Sequence, residues 1–180
     1  MTPAGIANLS IVYTVICIGI NEVSGRLNGT STGYLTASYS LYGNFVSLPC
    51  VTSVQALVLL AVALRAQDKV GQAWQVRGQA IRIAHSIGLH KQVHGQSVSW
   101  TSSPLAISIV FQSRLWLSCC TLERLMQLES GRPSQLSDKD AETPPTDLPP
   151  ATGPDYFTAW LALSRIMGEI ADRFYSRRPT

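Results

Sequence analysis

Apolar residues recur every three or four positions over several long stretches of the chain, and that spacing predicts helices separated by glycine and proline stops. The clearest starts at Thr52 or Ser53, either of which can cap it. Val54, Leu57, Val58, Leu60, Ala61 and Leu64 then surround most of a deeply buried helix. Gln67 to Gly71 reads as a short polar connection. A second helix is predicted from about Gln72 to Ile87, with Ala73, Val76, Ala80, Ile83, Ala84 and Ile87 facing inward. Arg77, Gln79, Arg82 and Ser86 face elsewhere. Gly88 ends this helix in a left-handed conformation and Leu89 supplies the closing apolar contact. His90 and Lys91 fall, exposed, at the negative end of the helix dipole.

A third helix is predicted from about Ser113 to Ser130, with Leu115, Trp116, Cys119, Leu122, Leu125 and Met126 at helical spacing. Gly131 stops it and Pro133 prevents its resumption, which leaves Arg132 to clamp the last carbonyls or a carboxylate. The prolines between Ser134 and Pro154 predict an extended crossing. Tyr156 to Arg173 reads as a last helix, its stripe formed by Tyr156, Trp160, Leu163, Met167 and Ile170. Upstream, Gly5 to Ile20 is apolar, yet it is shorter than the roughly 20 residues a spanning helix needs and no Lys or Arg precedes it. It is expected to be a core helix. Ser24 to Gly43, rich in Gly, Ser, Thr, Asn and Tyr, reads as a loop or weak helix. Residues 92–113 show no helical stripe beyond the histidines and read as a divergent, insert-like loop. The expected fold is an all-α, irregular multi-helix bundle forming one domain over residues 1–180.

Composition narrows the chemistry. Hydrophobic residues make up 46% of the 180 and charged ones 14%, so a folded chain with a partly covered surface is expected. The net charge of +3 is uneven. Residues 61–100 carry five basic side chains and one acidic, a net of +4, and residues 101–150 carry four and six, a net of −2. Neither block clusters Lys and Arg as a nucleic-acid footprint does. Cys17, Cys50, Cys119 and Cys120 contain no Cys-x-x-Cys pair, which fits a reducing compartment and supplies no local zinc cluster. His90 and His94 are four apart, but Gly88 has already ended the helix and no third ligand is near. No nucleophile, base and orienting group stand together. The residues therefore assign no catalytic, metal or cofactor-binding position, and the chain is not expected to be an enzyme.

Three stretches converge on a known family. "TSVQALVLLAVALRAQDKVGQAWQVRGQAIRIAHSIGLHK", "RLWLSCCTLERLMQLESGRP" and "LSDKDAETPPTDLP" resemble the fungal-specific transcription factor domain. This is the middle regulatory region of fungal zinc-cluster transcription factors, including the xylanolytic-activator type. The likeness is strongest over residues 52–150. It is carried by Gly88, Leu89 and His90, by Arg114 and Trp116, by the acid-arginine pair Glu123 and Arg124, by Gly131, Arg132 and Pro133, and by Asp138 and Asp140 in the acidic turn beyond. Glu123 stands where the family usually has aspartate, Leu117 replaces a second aromatic, and Val98 to Gln112 replaces a charged lead-in.

The resemblance implies an all-α regulatory domain of a nuclear regulator of DNA-templated, RNA polymerase II-dependent transcription, without enzymatic activity. The family's zinc-cluster DNA-binding module has no counterpart among these residues, so the resemblance places zinc and DNA binding on a module absent from them and suggests a fragment or headless regulator. Expected partners are DNA through that module, a second copy, transcriptional co-regulators or a small effector, and no membrane. An alternative is effector sensing in a pocket lined by Trp74, Trp116 or Trp160 and closed by Arg132.

Overall fold

The computed structural model describes residues 2–25, 27–93, 104–136 and 156–175. Six α-helices and a short 3-10 helix form the regular structure of these residues, and no strand occurs among them. The helices are α1 (Pro3–Ser24), α2 (Gly29–Phe45), α3 (Val51–Ala66), α4 (Val70–Ser86), α5 (Pro104–Ser130) and α6 (Tyr156–Tyr175), with the 3-10 helix at Leu89–Val93. Two compact units follow one another along the chain, Met1–Ile87 and Gly88–Thr180.

In the first unit, α1 packs on α2 and α3, and α3 packs on α4. The stretch read as a loop or weak helix is α2. Its start is fixed by a reciprocal capping box: Asn28 Oδ1 accepts from the Ser31 N–H at 2.8 Å, and Ser31 Oγ accepts from the Asn28 N–H at 3.3 Å. Hydroxyl residues share its buried face with large apolar ones: Ser31 and Ser38 are buried along with Leu35 and Phe45. Ser38 Oγ lies 2.7 Å from both Ser10 Oγ and Thr14 Oγ1, and it donates to the Ser10 carbonyl at 3.1 Å. All three hydroxyls are buried, so each needs such a partner. Tyr13 and Tyr34 add a tilted ring contact between the helices, their centroids 6.0 Å apart.

Helix α1 is a core helix on one side only. Ala7, Ser10, Thr14 and Cys17 are buried, while Val12, Val15, Ile16 and Val23 are exposed. At 22 residues it is longer than the predicted segment, and by length and composition alone it could cross a membrane. Helix α3 buries residues around most of its circumference, as its pattern predicts. Its cap differs: Cys50 occupies the N-cap without a side-chain bond to the helix backbone, its Sγ lying 3.3 Å from Ser53 Oγ, and Ser53 donates to the Phe45 carbonyl at 3.2 Å, closing the end of α2. The polar connection is a tight turn through Asp68, at φ +58°, and Gln67 donates to Cys17 Sγ at 3.5 Å.

Helix α4 requires one correction. Arg77, expected to face away from the core, is 1% exposed, and its guanidinium carbon lies 5.6 Å from the centroid of the Trp74 ring. A planar, weakly hydrated cation tolerates that site because an aromatic face offsets part of its lost hydration. Arg82 does stay exposed, with two donations to Gln79 Oε1 at 3.0 and 2.8 Å.

In the second unit, α5 packs on α6 and on the 3-10 helix. The insert-like loop expected at 92–113 is replaced from Pro104 onward by the first turns of α5. Proline at a helix start sacrifices no hydrogen bond, because that N–H has no intrahelical acceptor. Residues 94–103, including His94, lie outside the described residues, as do 137–155 with Asp138 and Asp140.

Candidate functional site

The sequence-marked residues that the structure describes gather mainly along α5 and its two ends. Gly88 adopts φ +71°, a conformation that other residues enter at a cost, and thereby turns the chain out of α4. Leu89 follows, 1% exposed, in the 3-10 helix. His90, expected to stand exposed at a helix terminus, is half-buried with its ring against Trp116, the centroids 5.9 Å apart. Trp116 is itself buried and anchors the middle of α5. The Gly-Leu-His segment and the Arg-x-Trp helix thus meet through this ring pair.

Arg114 lies on the outer side of α5, its guanidinium carbon 5.3 Å from the centroid of Phe157 near the start of α6. Two turns further along, the adjacent Glu123 and Arg124 serve different segments. Glu123 is fully buried, and its Oε1 accepts from the Gln135 backbone N–H at 2.7 Å, holding the chain that leaves α5. Arg124, 7% exposed, turns to α6. Its Nη1 donates to Gln127 Oε1 at 3.3 Å and lies 4.0 Å from Asp172 Oδ2, while Gln127 Nε2 donates to Asp172 Oδ1 at 3.4 Å.

Close packing completes that second clamp. A Cβ built at Gly168 would stand 3.1 Å from Arg124 Nε, so glycine lets the guanidinium pass under α6. Gly131 ends α5 at φ +63°, and the Tyr175 ring lies 3.2 Å from where its Cβ would be. Tyr175 Oη donates to the Leu128 carbonyl at 3.3 Å. Arg132, expected to clamp these carbonyls or a carboxylate, is exposed like Pro133, and Tyr175 bonds the carbonyl of Leu128.

The thiols are poor candidates for chemistry. Burial pushes the Cys119 thiol up to about 12, outweighing a stabilising backbone hydrogen bond, and the Glu123 charge adds to the rise. Burial also raises Cys17, against the lowering effects of its Gln67 hydrogen bond and Lys69. Both stay protonated at neutral pH and behave as small apolar groups. Among the described residues no group of three or more His, Cys, Asp or Glu comes together to hold a metal.

Each candidate pocket tryptophan has its own ring neighbour: Trp116 has His90, Trp160 stacks on Tyr156 at 6.2 Å, and Trp74 lies beneath Arg77. Sequence reasoning missed buried Arg77, the Ser10–Thr14–Ser38 cluster and Gly168. The spacing of Trp74 and Arg77, three apart on one helix, was the available signal for the first. The other two need the partner helix to be known.

This two-ended framework of α5 coincides with a family match. The model of the fungal specific transcription factor domain matches residues 2–153. The chain belongs to that family. It is similar to cutinase transcription factor 1 beta of Fusarium vanettenii, 33% identical over 51% of this chain and 10% of the relative. It is also similar to the C6 finger domain transcription factor hasF of Aspergillus fumigatus, 27% identical over 56% of this chain and 13% of the relative. A third relative is the negative regulator of pleiotropic drug resistance STB5 of Candida glabrata, 25% identical over 74% of this chain and 14% of the relative. The chain thus spans less than a quarter of the length of each of these regulators. No solved structure matches it. This fungal transcription factor domain is all-α, and the match favours the regulatory part of a transcription factor over effector sensing.

Proposed function

We propose that this domain works as a contact and control module in the nucleus, without catalysis, and that DNA and zinc binding reside in a cysteine-rich module outside these 180 residues. The observation that carries this reading is the use of the family-motif residues. His90, Trp116, Glu123, Arg124 and Gly131 hold α5 to its neighbouring segments through ring packing, a buried carboxylate, a buried guanidinium and a left-handed turn. These are positioning roles. Arg114, Arg132, Pro133, Asp138 and Asp140 belong to the same motif in this reading.

The surfaces then carry the function. Regulation acts through contacts with DNA-bound copies or co-regulators, and the sign of the response belongs to the whole regulator. The test is to sequence the native transcript that carries this reading frame and to image a fluorescent fusion of its product. A closely spaced six-cysteine segment in frame, with nuclear fluorescence, is expected. A transcript without such a segment, or a product held outside the nucleus under all growth conditions, overturns the DNA-binding part of the reading.

A further inference from the structure

The chain that leaves α5 brings one hydroxyl close to a buried charge. After Gly131 the backbone is irregular, since Pro133 cannot rejoin the helix, and Gly131, Arg132, Pro133 and Gln135 are all exposed. Ser134 lies half-buried among them. Its Oγ donates to the Leu136 carbonyl at 3.2 Å and accepts from the Leu136 N–H at 3.1 Å, bonds that reach only two residues along the chain. Breaking them disturbs no helix. The next residue is the anchored one: the Gln135 N–H donates to the fully buried Glu123 carboxylate at 2.7 Å, and Leu136 beyond it is buried.

We propose that Ser134 is a phosphorylation site and that the phosphate lifts Gln135 and Leu136 off α5. An exposed segment without regular structure can enter the extended substrate groove of a protein kinase. Arg132, two residues before the hydroxyl, supplies the basic group by which arginine-directed kinases choose a serine. In the transfer, Ser134 Oγ bonds to the γ-phosphorus of ATP as the bond from that phosphorus to the β,γ-bridging oxygen breaks. The hydroxyl proton goes to the kinase's base, and ADP leaves.

Position decides the effect. The Ser134 Cα is two covalent bonds from the Gln135 nitrogen, which places it within about 5.6 Å of Glu123 Oε1. The phosphate brings a charge of roughly −1.5 to −2 and removes the proton donated to the Leu136 carbonyl. A carboxylate and a carbonyl then both repel it. Arg132 carries the opposite charge, but it is exposed and screened by salt, whereas repulsion from a buried carboxylate is screened far less. Repulsion outweighs that pairing, and the contact that closes the chain onto α5 opens.

This goes beyond the contact-module reading, and its readouts are phosphate and amide exchange, so it stands or fails apart from the transcriptional assignment. The purified 180-residue chain, incubated with magnesium ATP and an extract of a fungal host, is expected to gain phosphate at Ser134 by peptide mass mapping. Arg132→Ala is expected to slow that gain. In the phosphorylated chain, exchange at the Gln135 amide is expected to quicken by about tenfold or more, the factor that attends loss of a hydrogen bond to a charged group. Helices α1 to α4 are expected to keep their protection. Ser134→Glu acts in the same direction, and Glu123→Gln, which keeps an acceptor without the charge, is expected to remove most of that effect in the double variant. A chain that takes no phosphate at Ser134, an Arg132→Ala chain labelled as fast as wild type, a phosphorylated chain whose Gln135 exchanges no faster, or a Ser134→Glu effect of equal size beside Glu123→Gln each overturns the proposal.

Discussion

Glu123 and Gln135 are twelve residues apart and joined by a 2.7 Å hydrogen bond from a backbone N–H to a fully buried carboxylate. This one contact closes the chain back onto α5 after the Gly-Arg-Pro stop. Removing the acceptor loses a hydrogen bond to a carboxylate, which costs about 1.5–3 kcal/mol. Glu123→Ala is expected to lower stability in urea by that amount or more, because it also opens a cavity. Glu123→Gln keeps an acceptor and is expected to lose less. Equal losses for the two variants would show that the acceptor oxygen contributes nothing.

Arg124 and Gly168 make the second clamp. Gly168→Ala brings the methyl group to within 3.1–3.2 Å of three Arg124 side-chain atoms, so the clamped guanidinium must give by a few tenths of an ångström. A destabilisation of about 1–3 kcal/mol is expected from overpacking. Hydrogen exchange should report it as loss of protection concentrated in α6, while α1 to α4 stay protected. Protection unchanged in α6 would remove the clamp from the account.

Gly88 and Gly131 separate conformation from packing. Both have positive φ, but a Cβ at Gly88 meets open space and one at Gly131 meets Tyr175. Gly88→Ala is expected to cost about 1 kcal/mol from backbone strain alone. Gly131→Ala should cost more, and Tyr175→Ala in the same chain should recover the excess. Thermal melts of the three variants and the double variant measure that recovery.

The buried thiols set a limit at alkaline pH. Cys119 is raised from 9.0 to about 12 in the folded chain, so between those values the unfolded chain has lost a proton that the folded one keeps. Stability contributed by that difference is intact below about pH 9 and falls as pH rises toward 12. Cys17 shifts in the same direction. Cys119→Ala is expected to flatten the fall in urea stability between pH 9 and 10.5 relative to wild type. An unchanged slope would mean that Cys119 is not shifted as described.

Much of this arrangement is legible in the sequence where burial and periodicity agree. The circumferential apolar pattern of α3 and the stops at Gly88 and Gly131 follow from residue spacing and glycine's access to positive φ. Helix α2 escapes because its inner face is stabilised by hydroxyls on α1, so only the partner helix explains Ser38. The start of α5 escapes because alternating Ile107, Ser108 and Ile109 has the period of a strand, whereas the chain continues the helix set by Trp116. The last helix is found, but its apolar spacing does not say which side packs on α5. Only Met167 of the predicted stripe is fully buried, since close approach to Arg124 selects Gly168 and Ala171 over larger residues.

For the family motif, the sequence identifies the residues and leaves their tasks open. Glu123 and Arg124 read as a local pair, yet one holds the following chain and the other holds α6. Adjacent residues on a helix point about 100° apart, which lets one dipeptide serve two contacts.

The central claim is that this folded module controls transcription. The most direct measurement tethers the 180-residue chain to a DNA-binding module of known operator in a fungal host and compares reporter transcription with the module alone. A change in output that the Glu123→Ala, Arg124→Ala double variant loses is the expected result. Output equal to the module alone, from a fusion that accumulates in folded form in the nucleus, would contradict it.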